Sequence, residues 1–166
     1  NMGVSPWQTV WITGASSGIG RELALRFAAM GCTVAASARS VEKLAALEQL
    51  SPNIKAFPLD VEDAGAAQAV FTAIESALGP VDLAILNAGI WQQMIVSDFS
   101  AERAKQSMSV NYFGVLHAME PAMAAFVARG RGHLALMSSV AGYRGLMKGA
   151  AYCPTKAALN SLSEAL

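Results

Sequence analysis

From Thr9 onward, short apolar runs alternate with longer stretches patterned for helices, and few folds accept that order. Strands are expected over Thr9–Thr13, Thr33–Ala38, Ile54–Leu59, Val81–Leu86 and His133–Met137. Helices are expected over Ile19–Met30, Glu42–Leu50, Ala64–Leu78, Ala101 to about Arg129, and from Ala151 onward. Strict strand–helix alternation implies parallel strands joined by right-handed crossovers, hence an α/β doubly wound parallel sheet. Gly130 and Gly132 mark the end of the long helix. Pro121 inside it should kink it or divide it in two, because proline lacks the amide donor and crowds the preceding turn. Pro154 suits the first turn of the last helix.

With 166 residues the chain is long enough for one core and short for two, so residues 1–166 read as a single domain. Hydrophobic residues make up 54% and charged ones 14%, which excludes a disordered chain. Twelve Lys and Arg balance 12 Asp and Glu. Such a balance offers no field for nucleic acid or acidic membrane. The first 20 residues carry no charge, so no secretory leader is expected there, and the glycines and Pro6 argue against a membrane span. The uncharged run Leu83–Ser97 is interrupted by Asn87 and Gly89. Cys32 and Cys153 have neither metal-ligand nor disulfide-framework spacing. The expectation is a reduced, cytoplasmic protein without a metal. His117 and His133 read as packing or surface residues.

Motifs that carry chemistry fall at the carboxyl ends of the expected strands, where such sheets bind ligands. Thr13-Gly14-Ala15-Ser16-Ser17-Gly18-Ile19-Gly20 follows the first strand and opens the first helix. Gly14 can make the tight turn, while Gly18 and Gly20 let backbone approach phosphate and helix approach sheet. The helix N-terminus then offers free N–H groups and a positive dipole end to a dinucleotide pyrophosphate. The second strand ends in Ala38-Arg39-Ser40, with no acid to accept a ribose hydroxyl. A guanidinium there suits a 2′-phosphate, with Ser40 adding a hydroxyl. Asp60 could bond an adenine amino group or cap the helix that follows. In Asn87-Ala88-Gly89, Asn87 can stabilise the bend and Gly89 permits close backbone approach. Tyr152 and Lys156 lie four residues apart and share one helix face. A free phenol, with a pKa of about 10, is a poor base near neutrality, and a nearby ammonium favours phenolate. Ser139, ending the fifth strand, can hold a substrate oxygen beside the phenol. Trp91 to Met94 and Arg144 to Lys148 are candidate borders of a substrate pocket.

Taken together, the glycine run, Asn87-Ala88-Gly89, Val110-Asn111, Ser138-Ser139 and Tyr152-Cys153-Pro154-Thr155-Lys156 resemble the short-chain dehydrogenase/reductase family over nearly the whole chain. The resemblance implies a Rossmann-like fold and a catalytic tetrad of Asn111, Ser139, Tyr152 and Lys156. Tyr152 would exchange a proton with a carbonyl or alcohol as hydride moves to or from NADP(H). Lys156 would hold the nicotinamide ribose and Ser139 the substrate oxygen, with Ser138 in support. Asn111 would bind a water linking Lys156 to solvent at a break in the long helix. Cofactor contacts would come from Gly14, Ser16, Ser17, Gly18, Ile19, Gly20, Arg39, Ser40, Asp60, Val61, Asn87, Ala88, Gly89, Tyr152 and Lys156. Ala38-Arg39-Ser40 is similar to members preferring NADP(H) over NAD(H). A homodimer or homotetramer acting on a small carbonyl or alcohol is implied, with no nucleic acid or membrane partner. Family members continue past the point matching Leu166 through further strands, a turn against the nicotinamide and a variable loop. The expectation is therefore a sheet lacking those last strands, with the fifth strand as a parallel edge. An alternative is a nucleotide-binding module without catalysis, or a fragment of such an enzyme.

Overall fold

A computed structural model describes residues 5–166. Thr9–Thr13 (β1), Thr33–Ser37 (β2), Ile54–Ala56 (β3), Leu83–Leu86 (β4) and His133–Leu136 (β5) form one parallel sheet in the order β3-β2-β1-β4-β5. The strand order reverses between β1 and β4, which register Val10 against Leu83 and Thr13 against Leu86. This is the crevice where doubly wound sheets take ligands.

Alternation along β1 explains the two layers. Val10 and Ile12 face one side, with Val34, Ala36, Leu44, Leu47, Ala24 and Ala28. That side is covered by helices α1 (Gly18–Ala29) and α2 (Val41–Glu48). Trp11, between them, faces the other side with Phe71, Ile74, Ala118, Ala122 and Leu159. There the cover comes from α3 (Ala64–Leu78), α5 (Gly114–Arg129) and α6 (Cys153–Ala165). Side chains one residue apart on a strand must point to opposite faces, so a short apolar run feeds both cores at once. Trp11 is fully buried and its indole N–H donates to Ser37 Oγ at 2.9 Å, satisfying its one polar atom. Arg129 ties α5 to α3 and the sheet, pairing with Glu75 at 2.7 Å and donating to the Val81 carbonyl at 2.9 Å.

Several element ends differ from the sequence expectation for local reasons. β3 stops at Ala56 instead of Leu59 because Pro58 has no amide to donate. The amides on either side of it, Phe57 and Leu59, still reach the Ala36 and Ala38 carbonyls at 2.9 and 3.0 Å. β4 begins at Leu83, after Asp82, whose carboxylate accepts the Gln8 and Thr9 amides at 3.0 and 3.1 Å. The long helix is indeed interrupted, but not at Pro121, which lies inside a continuous α5. The interruption is a π-helical turn, Ser109–Phe113, between α4 (Ala101–Met108) and α5, where the Gly114 amide reaches back to the Ser109 carbonyl. Such a turn widens the helix by one residue and is often found at functional sites. β5 pairs with β4 alone among the described residues, and Leu134 to Leu136 are half-buried. None of the described helices is long and apolar enough to cross a membrane.

Candidate active site

The turn after β1 is built by sterics. Gly14 adopts φ of +68°, a conformation costly for residues with a Cβ, and a Cβ there would stand 2.8 Å from Ala88 Cα. Gly20 has ordinary dihedrals but no room: a Cβ would overlap the Gly14 carbonyl and stand 2.6 Å from Asn87 Nδ2. The first turn of α1 is therefore pressed against the ends of β1 and β4. Asn87 locks this junction, its Nδ2 donating to the carbonyls of Thr13 at 3.1 Å and Gly14 at 3.2 Å. Thr13 Oγ1 accepts the Asn87 and Ala88 amides at 3.0 and 3.1 Å. Ser17, Gly18 and Ile19 are exposed.

A cavity of about 480 Å³ opens over this junction. Its wall includes Gly14, Ser16, Ser17 and Ile19 from the first turn, Arg39 and Ser40 after β2, Asp60 and Val61 after β3, and Asn87, Ala88 and Gly89 after β4. Gly18 and Gly20 shape the turn without lining it. Four strand ends thus converge on one elongated site. At its far end Arg39 is exposed, and Lys43, one turn into α2, lines the same wall. Lys43 was not singled out from the sequence; its spacing of four from Arg39 across a helix start is the signal that could have found it. Ser40 lines the wall, yet its hydroxyl already caps α2, accepting the Lys43 amide and donating to Glu42, both at 3.3 Å. Asp60 does not cap α3. Asp63 does, accepting the Ala66 amide at 2.9 Å, while Asp60 Oδ1 accepts the Glu62 amide at 3.1 Å and faces the cavity. His117 bonds the Val61 carbonyl at 2.8 Å through Nδ1, a packing role that fixes this stretch of wall.

Tyr152 and Lys156 stand at the start of α6. Lys156 is buried with only 3% exposure, and its Nζ donates to the Met137 carbonyl at 2.6 Å. Burial pushes its ammonium below the usual lysine range, because the interior solvates charge less well than water. The same Nζ lies 5.6 Å from the centre of the Tyr152 ring, and 3.8 Å from where a Cβ on Gly89 would be. One cation therefore lies near both the phenol and Gly89, which lines the cavity. Ser139 lies beyond the end of β5 and caps the short 3-10 turn Val140–Gly142, its Oγ accepting the Ala141 amide at 3.1 Å, which leaves its proton for another acceptor. Ser138 braces β5 against α6, its Oγ 2.6 Å from Asn160 Oδ1.

Asn111 sits in the π-helical turn, fully buried. Its Oδ1 accepts the Ile90 amide at 2.7 Å, and its Nδ2 donates to the Ile90 carbonyl at 2.9 Å and Thr155 Oγ1 at 3.2 Å. Thr155 in turn donates to the Tyr152 carbonyl at 2.7 Å. A continuous chain of hydrogen bonds thus runs from the loop after β4, through the π turn, to the residue carrying the phenol. Thr155 stands inside the Tyr152-Cys153-Pro154-Thr155-Lys156 motif, but nothing in the sequence gave it a role of its own. Trp91 was only a candidate border; its ring packs edge-on against Tyr152 with centroids 4.8 Å apart.

This fold and site define a doubly wound α/β protein with a tyrosine and a buried lysine near a cavity at the carboxyl ends of its strands. Residues 8–166 match the model of the short chain dehydrogenase family, and the chain belongs to that family of oxidoreductases. An uncharacterized oxidoreductase of Mycobacterium tuberculosis is 38% identical over 96% of this chain and 66% of its own length. The dehydrogenase/reductase SDR family member 7 of Mus musculus is 28% identical over 95% of this chain and 49% of its own length. The chain therefore spans between about half and two thirds of these relatives. A short-chain dehydrogenase from Streptomyces avermitilis superposes with a TM-score of 0.90 at 31% identity, covering 97% of this chain and 60% of that one. An actinorhodin polyketide ketoreductase solved with NADPH gives a TM-score of 0.91 at 26% identity, covering 95% of this chain and 63% of that one.

Proposed function

We propose that this chain is the nucleotide-binding and catalytic unit of an NADP(H)-dependent enzyme interconverting a carbonyl and an alcohol. The observation that carries the reading is Lys156, one buried cation adjoining both the Tyr152 ring and the Gly89 wall of the cavity. The residues that line the cavity suit a dinucleotide by their chemistry. A glycine turn at a helix N-terminus suits a pyrophosphate, and Arg39 with Lys43 suits a 2′-phosphate, where Arg39 can make a forked contact. Asp60 and Val61 form the side wall expected for adenine. Support for the phosphate also comes from relatives: a serine dehydrogenase complexed with NADP+ superposes at a TM-score of 0.90 and 27% identity.

NADP(H), when bound, supplies or accepts the hydride. Tyr152 then supplies the matching proton to the carbonyl oxygen, or removes it from the alcohol in reverse. Ser139 holds that oxygen with its remaining proton. Lys156 sets its Nζ 5.6 Å from the centre of the phenol ring and would donate to the nicotinamide ribose. Asn111 and Thr155 act through position, fixing the start of α6 against the loop after β4. A relay water between Lys156 and solvent would be held by the main chain of the π turn, since the Asn111 amide is already committed. Phe113 and Val127 stand exposed on the long helix, apolar surface that suits a homodimer or homotetramer.

The test is NADPH consumption by the purified protein over a panel of uncharged ketones and aldehydes. Tyr152→Phe should lose at least about a thousandfold in kcat, at the upper range of acid–base contributions, while binding NADPH within about twofold. Turnover surviving in that variant would overturn the assignment; NADPH binding with no turnover in the parent protein would leave a nucleotide-binding module.

A further inference from the structure

Ser139 is held from both sides by one residue of α6. Its predecessor Ser138 donates a hydroxyl proton to Asn160 Oδ1 at 2.6 Å, and the same Oγ stands 3.2 Å from the Lys156 carbonyl oxygen. After Ser139 the chain makes the turn Val140–Gly142, which the Gly142 amide closes by donating to the Ser139 carbonyl at 2.9 Å. Gly142 lies flat against α6. A Cβ there would stand 2.6 Å from Asn160 Nδ2 and 2.8 Å from the Lys156 carbonyl oxygen, so a side chain would displace the turn or the helix. Asn160 thus meets the chain just before Ser139 and again at the end of the turn that follows it.

Helix geometry ties the same residue to the reacting groups. Tyr152, Lys156 and Asn160 follow one another at intervals of four and form a stripe along one face of α6. Lys156 Nζ donates to the Met137 carbonyl at 2.6 Å. Met137 and Ser138 are therefore fastened to this stripe at consecutive positions, and Ser139 comes next. The Asn160 amide makes its tie through oxygen alone, since Nδ2 is buried with no acceptor among the described residues. A buried N–H left unpaired is unfavourable, so a carboxylate at the same place, which lacks that N–H, should serve the tie as well.

We propose that Asn160 is a positioning residue, fixing the Ser139 hydroxyl relative to Tyr152 and Lys156 through its contacts with Ser138 and Gly142. The inference rests on the carbonyl–alcohol reading above, in which Ser139 holds the reacting oxygen. Neither Asn160 nor Ser138 lines the cavity over the glycine turn. Loosening the bracket would shift Ser139 from its place beside the phenol, which costs rate and not nucleotide affinity.

Two measurements test this. The first is steady-state kinetics with NADPH and an uncharged ketone that the parent protein reduces. The second is hydrogen exchange at the Ala141 and Gly142 amides, which donate to the Ser139 side chain and carbonyl and need no turnover to be read. Asn160→Leu removes the oxygen at similar size, and Ser138→Ala removes its donor. Each should lower kcat about tenfold and leave NADPH affinity within about twofold, and the two together should lose scarcely more than one alone. Asn160→Asp keeps the oxygen and should hold kcat within about threefold of the parent. In Asn160→Leu the Ala141 and Gly142 amides should exchange at least about tenfold faster, with those of α1 unchanged. Should Asn160→Leu not fold, Ser138→Ala and Ser138→Thr make the same comparison, since threonine keeps the hydroxyl.

Losses in kcat that add in the double variant, or an Asn160→Asp protein as slow as Asn160→Leu, would overturn the proposal. So would exchange that rises equally along the chain, the mark of general destabilisation, or exchange unchanged at both amides. If exchange rises at these amides alone and the parent reduces no ketone, the bracket around Ser139 stands and the carbonyl–alcohol reading falls.

Discussion

The turn after β1 and the loop after β5 both sit at carboxyl ends of parallel strands, yet they are built by opposite rules. At the first, backbone meets backbone. Gly20 has no space for a methyl group beside the Gly14 carbonyl, so residue identity there is dictated by contact. At the second, side chains such as Leu146 and Met147 line an apolar cavity, and Gly145 has nothing within 4 Å of its Cβ position. Backbone contact leaves a rigid signature in the sequence. An apolar lining leaves only a bias toward apolar residues.

Substitutions can break this contrast. Gly20→Ala should have the largest effect, destabilising the fold by about 2 kcal/mol or more through overpacking and removing measurable NADPH affinity. Gly145→Ala should stay within about 0.5 kcal/mol, as for a surface change. Chemical denaturation of both proteins checks the pair, and similar losses would erase the distinction. At the other end of the cavity, Arg39→Ala should weaken NADPH about thirtyfold, the scale of a lost charge-assisted contact, and NADH less than about twofold. Titration of nicotinamide fluorescence separates the cofactors; equal losses would mean that Arg39 does not read the phosphate.

The same contrast explains what could be read in advance. The doubly wound parallel sheet and the convergence of Gly14, Asn87 and Gly89 follow from alternation and turn chemistry, which are local properties of the chain. Helix α3 falls at the expected place, but its cap is Asp63, where the sequence reading offers Asp60. The end of β3 was not legible, since hydrogen bonding resumes on the far side of Pro58. For the helix break the residues alone point to Pro121, whereas the family resemblance puts it at Asn111; the π turn there is tied by Asn111 to Ile90 and Thr155, far away in the chain. Lys43 and Thr155 became visible only when tertiary contacts gave them neighbours. The nearness of Lys156 to Tyr152 was legible from their spacing, but its bond to the Met137 carbonyl was not.

Burial of Lys156 carries a smaller, pH-dependent effect. With its folded-state value lowered, the unfolded chain binds more protons between that value and the ordinary lysine value near 10.5. Stability lost to burying the ammonium at neutral pH should therefore be regained as pH rises through that window. Melting temperatures of the parent and Lys156→Met, compared from neutral to alkaline pH, should move in the parent's favour as pH increases. A difference that stays constant would show that Lys156 exerts no such burial penalty.

Lys156 also offers the most direct test, because it is the one group that the account places against both the phenol and the cofactor. NADPH affinity and ketone turnover should be measured side by side for the parent, Tyr152→Phe and Lys156→Met. The account predicts that Tyr152→Phe loses turnover alone, whereas Lys156→Met loses turnover and about tenfold in NADPH affinity, the loss of a charged hydrogen bond to the ribose. Lys156→Met binding NADPH as tightly as the parent would contradict it, separating the cavity from the proton-transfer pair.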